Sequence, residues 1–332
     1  MKKNFARWFQ DAWYKEMYFS NIFVPFAMIF DDFRRFKLFL YKIGVYKRTR
    51  LPVSVINVGS ITIGGSGKTP LILWLARFLR KEGYKPGIVS SGFGGNSESW
   101  PQWIDDQSLV DQVGYEAVLM ERHADCPISV GHKVVKAAQL LLEKADCNVI
   151  LVNDGLQQYS LVNDIEIAVI DGERRFGNGY MLPCGPLREP VDRLQKVDMV
   201  IVNGSDAEEN EFTMAVEGDR AINLATKEEK LLTEFSKQSC HAIASIGNPK
   251  RFFDLLDRKN IPLVCHAFPD HHQFSGDNVF FKDDKPVLMT EKDAIKCLEF
   301  AVDKFWNVPI TVQPQQLFID KLALLIKEKI NA

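Results

Sequence analysis

The chain has no apolar run near the roughly 20 residues that a straight transmembrane helix needs, so no bilayer-spanning segment is expected. Its six cysteines (Cys126, Cys147, Cys184, Cys240, Cys265 and Cys297) include no C-x-x-C pair and no histidine partner at zinc-finger spacing. That scatter argues against a disulfide framework or structural zinc and for free thiols in a reducing compartment. The chain also lacks a strong overall charge: 41 Lys and Arg stand against 43 Asp and Glu, a net charge of -2. No nucleic-acid partner is expected from such a balance. Internal repeats and low-complexity segments are absent too, which leaves ordinary globular domains.

What is present begins with length. At 332 residues, with 46% hydrophobic and 25% charged residues, the chain is too long for one compact core and reads as two domains. Its first fifty residues are of different material. They carry eleven Lys and Arg against four Asp and Glu, a balance of +7. Within them, 17–30 is a fourteen-residue stretch without charge. It has no small-residue cleavage signature, and Pro25 interrupts what would be a signal-peptide core. Trp8, Phe9, Trp13, Tyr14, Tyr18, Phe19 and Phe23 precede or enter the stretch. Arg34, Arg35, Lys37, Lys42, Lys47, Arg48 and Arg50 follow it. Aromatic rings beside cationic stems are what an anionic lipid surface attracts, so 1–50 is expected to be a helical membrane-interface segment. The alternative is a hydrophobic helix pair packed on the protein body with a solvated basic face.

Beyond residue 50, short apolar runs alternate with helical patterns. Strands are predicted at 53–58, 87–90, 128–130, 149–152, 165–170 and 199–202, with helices at 68–82 and 134–144. This rhythm predicts a parallel sheet covered on both faces. The polar acidic stretch 205–210 reads as a linker. A second set follows, with strands at 221–225, 241–246, 263–268, 287–290 and 310–312 and helices at 249–258 and 317–329. The expected architecture is α/β: a P-loop NTPase-like parallel-sheet domain at 51–205 and a second, smaller α/β domain at 206–332.

The strongest local signal is an apolar strand running into Gly64-Gly65-Ser66-Gly67-Lys68-Thr69 and then a helix. Backbone N–H groups and a helix N-terminus would face phosphates there, Lys68 would reach the terminal phosphates of ATP, and Thr69 would hold Mg²⁺. Thr62 stands where the strict pattern has its first glycine. A second glycine-rich turn, Ser91-Gly92-Phe93-Gly94-Gly95, follows the next strand, at the edge where parallel sheets bind ligands, although a plain loop explains it equally. The run at 149–152 ends in Asn153-Asp154-Gly155, either a metal-holding carboxylate or a turn. Asp270-His271-His272 reads as a metal site or a satisfied polar cluster, although adjacent histidines rarely share one ion.

Taken in order, these segments resemble the tetraacyldisaccharide 4'-kinases of lipid A synthesis. The resemblance also rests on Asp171-Gly172, Arg175-Phe176-Gly177-Asn178-Gly179, Leu182 through Glu189, Asp270-His271 and Thr290-Glu291-Lys292-Asp293-Ala294. It implies transfer of the ATP γ-phosphoryl group to the 4'-hydroxyl of a lipid-linked disaccharide 1-phosphate. Such an enzyme would sit on the cytoplasmic face of the inner membrane. Carried over by position, Lys68 and Thr69 contact phosphate and Mg²⁺, Asp154 and Glu116 lie near the metal, and Glu189 is a further metal candidate. His271, beside Asp270, supports the base. Tyr115 occupies the base position itself, because Gly114-Tyr115-Glu116 stands where the family has Gly-Asp-Glu. Ser91, Asn153, Gln158 and Ser160 likewise replace charged or basic residues of the family pattern. These departures leave a second reading: a member that binds nucleotide or lipid without efficient transfer. An unrelated P-loop switch or partitioning ATPase would have no reason to contain Leu182 through Glu189.

Overall fold

The structure is a computed structural model and describes residues 13–14, 23–270 and 272–330. The expectations for Trp8, Phe9, Tyr18, Phe19 and His271 lie outside those residues. In chain order the strands are β1 (Ser54–Gly59), β2 (Pro86–Ser90), β3 (Gln102–Ile104), β4 (Ile128–Val130), β5 (Val149–Asn153), β6 (Ile165–Asp171), β7 (Met199–Asn203) and β8 (Glu211–Glu217). They continue with β9 (Arg220–Asn223), β10 (Glu229–Leu231), β11 (Cys240–Ala244), β12 (Leu263–Ala267), β13 (Val287–Thr290), β14 (Phe305–Val308) and β15 (Thr311–Pro314).

The first compact unit runs through Ala215 and resumes at Pro314. Its sheet has nine strands in the order β15-β8-β7-β6-β1-β5-β2-β4-β3. β1 pairs in parallel with both β5 and β6, β2 lies beyond β5, and β7 lies beyond β6. Strand order therefore reverses at β1, and the crevice beyond its carboxyl end is where open α/β sheets take their ligands. β2, β5 and β7 are buried along their whole length, which is why they read as unbroken apolar runs. The helix Lys68–Lys81 covers the sheet with Leu71, Leu75 and Leu79 and with Ile72 and Ala76, two rows of residues four apart.

The second unit, Val216–Gln313, carries a six-stranded sheet in the order β10-β9-β14-β13-β11-β12. β12, β11, β13 and β14 are parallel, while β9 and β10 close one edge antiparallel. Its core is built from Phe235, Phe252, Leu255, Leu256 and Trp306 among others.

This partition differs from a boundary at residue 205. The acidic stretch expected as a linker is a turn leading into β8, because Arg175 binds Glu208 and Glu211, both at 2.7 Å. The final helix, Gln316–Lys329, belongs to the first unit. It buries Phe318, Leu322 and Ile326, and the Phe318 ring meets Trp74 and Phe212. The chain leaves the first unit along β8 and returns along β15.

A helix at Val24–Lys42 precedes β1. Pro25 sits in its first turn, where a missing N–H costs nothing. Part of the apolar stretch and part of the basic cluster thus share one helix. Ala27 is buried and Arg34 is half-buried on one face. Phe26, Ile29, Phe33 and Phe36 stand exposed in a row on the other, with Met28 and Phe39 beside them. Among the described residues no helix is long and apolar enough to cross a membrane.

Candidate active site

The loop between β1 and the helix Lys68–Lys81 is shaped by two left-handed glycines, Gly64 (φ +107°) and Gly67 (φ +101°). A Cβ on Gly67 would lie 2.4 Å from Nδ2 of Asn203, and that amide donates to the Ser66 carbonyl at 3.0 Å. Any other residue at 67 would break this packing as well as strain the backbone. Ser66 Oγ is buried without a partner among the described residues, an orphan hydroxyl inside a cradle that a phosphate oxygen would satisfy. Thr62 departs from the strict pattern because it is no turn at all: it forms a β-bridge with Leu187.

That bridge belongs to a brace. Ile63 N–H donates to Pro186 O (2.9 Å) and Arg188 N–H to Ile61 O (2.7 Å), so Pro186 through Glu189 lines the phosphate loop as a short antiparallel partner. Arg188 then reaches across the crevice. Its Nη1 and Nη2 bind the two Asp154 oxygens at 3.0 and 2.7 Å, and Nη2 also donates to Ser60 O at 2.8 Å. Lys68 Nζ lies 3.6 Å from the same carboxylate. Asp154, just past β5, is itself left-handed (φ +59°). Burial alone would raise its pKa, but Lys68 and Arg188 outweigh it and hold the carboxyl at about 2.

Of the sequence candidates, Gly64, Gly65, Ser66, Gly67, Lys68, Thr69 and Asp154 therefore converge on one crevice. Tyr115 and Glu116 open the helix Tyr115–Ala124, Tyr115 buried and Glu116 half-buried. The second glycine-rich turn packs against the segment before them, with Asn96 N–H donating to Asp111 O at 2.7 Å. Asn153 turns its amide toward Met120 Sδ of that helix (3.8 Å), leaving Oδ1 buried and unpartnered among the described residues.

Glu189 is not brought to the crevice as an open ligand. Its side chain is fully buried, bonded by the Tyr159 hydroxyl and paired with Arg34 Nη1 at 3.2 Å. Burial and the Glu189 charge push the Tyr159 phenol up, so Tyr159 stays a donor. Asp270 belongs to the second unit, where Lys292 Nζ lies 3.3 Å away. His272 is stacked on Phe268 and bonded to Asn278. Among the described residues no group of three His, Cys, Asp or Glu side chains is arranged to hold a metal, and His271 lies outside those residues. Thr69 and Asp154 nevertheless fit Mg²⁺: one hydroxyl and one carboxylate suffice when phosphates and water supply the other oxygens. Arg188 and Lys292 were not singled out from sequence, because the only signal for them was membership in motifs without generic meaning.

The fold and crevice define an α/β protein with a Gly-Lys-Thr turn at the reversal point of a parallel sheet, the architecture of nucleotide-phosphate binding. A family model for tetraacyldisaccharide-1-P 4'-kinase matches residues 19–327. The tetraacyldisaccharide 4'-kinase of Nitrosococcus oceani is 42% identical over 323 residues, covering 96% of this chain and 95% of that protein. The one from Methylobacillus flagellatus is 41% identical over 324 residues, covering 97% and 96%. This chain belongs to the tetraacyldisaccharide-1-P 4'-kinase family. The fold agrees with the crystal structure of LpxK from Aquifex aeolicus in complex with ATP: TM-score 0.76 at 24% identity, covering 94% of this chain and 99% of that one.

Proposed function

We propose that this chain transfers the γ-phosphoryl group of ATP to the 4'-hydroxyl of a tetraacylated disaccharide 1-phosphate in lipid A synthesis. The observation that carries the reading is the Gly64–Thr69 cradle with Asp154 held at its mouth by Lys68 and Arg188. Lys68, so close to a carboxylate, has a short path to phosphate oxygens entering the cradle. Thr69 and Asp154 would hold Mg²⁺, which when bound neutralises charge on the phosphates. Asp270 and His271 assist the proton transfer from the acceptor hydroxyl, with Glu116 near the metal. Ser91, Tyr115 and Asn153 depart from the family pattern but leave Lys68, Thr69 and Asp154 in place, so transfer is retained with a slower proton step.

A single-turnover assay with labelled ATP and the disaccharide 1-phosphate tests this reading directly. Labelled product is expected, and its absence at saturating acceptor would leave a binding protein instead. Tyr115→Asp is expected to raise the rate and His271→Ala to lower it, since a general base contributes about 10²–10⁴-fold. Identical rates and pH profiles in parent and both variants would remove these positions from base catalysis.

The acceptor's acyl chains call for a surface site, and the exposed row Phe26, Ile29, Phe33 and Phe36 meets that need. Arg35, Lys42, Lys47, Arg48 and Arg50 lie on or just after the same helix, facing anionic headgroups at the cytoplasmic face of the inner membrane. This is monotopic attachment. Replacing Phe26, Phe33 and Phe36 together by Ser is expected to lower partitioning onto anionic vesicles by about two to four orders of magnitude, given about 1.5–3 kcal/mol per fully buried ring and rings that are 58%, 70% and 57% exposed before docking. Sedimentation equal to the parent would mean that the anchor lies elsewhere.

A further inference from the structure

The cations around the phosphate loop are almost all spoken for. Lys68 and Arg188 share Asp154, Arg175 binds Glu208 and Glu211, and Arg34 binds Asp31 and Glu189. Arg174 differs. Among the described residues its guanidinium has no carboxylate or carbonyl partner; it lies over the Tyr14 ring, 4.7 Å from the centroid. Its Nη1 is 3.8 Å from where a Cβ on Gly64 would be, so it stands directly against the phosphate loop.

Its placement is built, not incidental. Arg174 follows β6, and its backbone N–H is capped by Asp171 Oδ1 at 3.1 Å. β6 flanks β1 on the side opposite β5, so Arg174 and Asp154 come to the loop from the two sides of the strand-order reversal. An arginine cannot shed its charge, and its planar fork matches two phosphate oxygens. The Tyr14 face supports the cation without occupying its N–H donors.

We propose that Arg174 is a phosphate-binding residue of this site, donating its guanidinium fork to a phosphoryl group that lies over Gly64. The inference rests on the phosphate-loop reading above. Two sources offer that chemistry: the terminal phosphate of ATP and the phosphate of the acceptor.

The test measures Mg-ATP and Mg-ADP affinity by calorimetry, together with kcat and the acceptor KM, in R174Q, R174K and Lys68→Ala. R174Q is expected to lose roughly 10–100-fold in one arm, the range for a charge-assisted phosphate contact. Loss for Mg-ATP but not Mg-ADP, with lower kcat, assigns the terminal phosphate. A raised acceptor KM with nucleotide affinity intact assigns the acceptor phosphate. R174K, which keeps the charge but not the fork, is expected to fall between parent and R174Q. Parent-like values throughout in R174Q overturn the proposal, and should R174Q fold poorly, parent-like values in R174K do so. Unchanged ATP affinity in Lys68→Ala would instead sink the phosphate-loop reading itself, which keeps the two failures distinct.

Discussion

Lys68→Ala is expected to lower the single-turnover rate by about 10²–10³-fold, the cost of removing one preorganised group aimed at developing charge. ATP affinity should fall by about tenfold or more, because a charged donor to phosphate disappears from the cradle. Arg188 still holds Asp154 through two bonds, so the crevice should keep its shape and the loss be chemical. A rate and affinity matching the parent would mean that the phosphates lie elsewhere. The same variant has a pH signature. Asp154 is held at about 2, below its ordinary 3.8. Its contribution to stability is therefore present above about pH 4 and lost as pH falls toward 2. Without Lys68 the folded-state pKa rises toward the ordinary value and that contribution shrinks. Acid unfolding should begin at higher pH in the variant, with the difference vanishing at the lowest pH.

The largest stability effect is expected at Arg34→Met. Glu189 is wholly buried and the Arg34 side chain is 13% exposed, so removing the cation strands a carboxylate whose one other side-chain donor among the described residues is Tyr159. Breaking a buried pair from one side costs about 3–5 kcal/mol, whereas replacing both partners can be nearly neutral. Arg34→Met should shift denaturant unfolding of the first unit by that amount, and Arg34→Met with Glu189→Gln should recover much of it. Because Arg34 lies on the helix Val24–Lys42 and Glu189 ends the brace along the phosphate loop, ATP affinity should fall along with stability. If the single variant costs under about 1 kcal/mol, in the range of an exposed pair, the contact is not the tie between helix and loop. This result would also separate the structural role of Glu189 from metal binding, since Glu189→Gln keeps the Tyr159 bond and should leave the Mg²⁺ requirement unchanged.

What could be read from sequence follows chain-local rules. β1, β2, β5, β6 and β7 were legible because strands covered on both faces are dominated by buried apolar residues. The phosphate loop was legible because strand, glycine turn and helix start are contiguous. β3 and β10 were missed as edge strands of three residues with half-exposed side chains. β8 was missed because Met214 alone of its seven residues is fully buried and its first residue, Glu211, is charged and paired with Arg175. The final helix was recognised as a helix but assigned to the wrong unit, because nothing in its amphipathic pattern names the surface it covers. Trp74 and Phe212, the rings its Phe318 meets, are far away in sequence.

The sequence by itself determined most of the element types, the glycine-turn-helix cradle and the family, since each depends on residues a few positions apart or on ordered motifs. Tertiary structure alone decided which charges meet. Arg34 and Glu189 are 155 positions apart, and Arg188 and Asp154 are 34 apart. No local pattern says that the one carboxylate is a buried tie and the other is held by two cations at the phosphate loop, or that Arg174 stands beside Gly64 without a carboxylate partner among the described residues. Coulombic pairing is set by distance in space and by burial, and both exist only once the sheet has brought the ends of β1, β5 and β6 together.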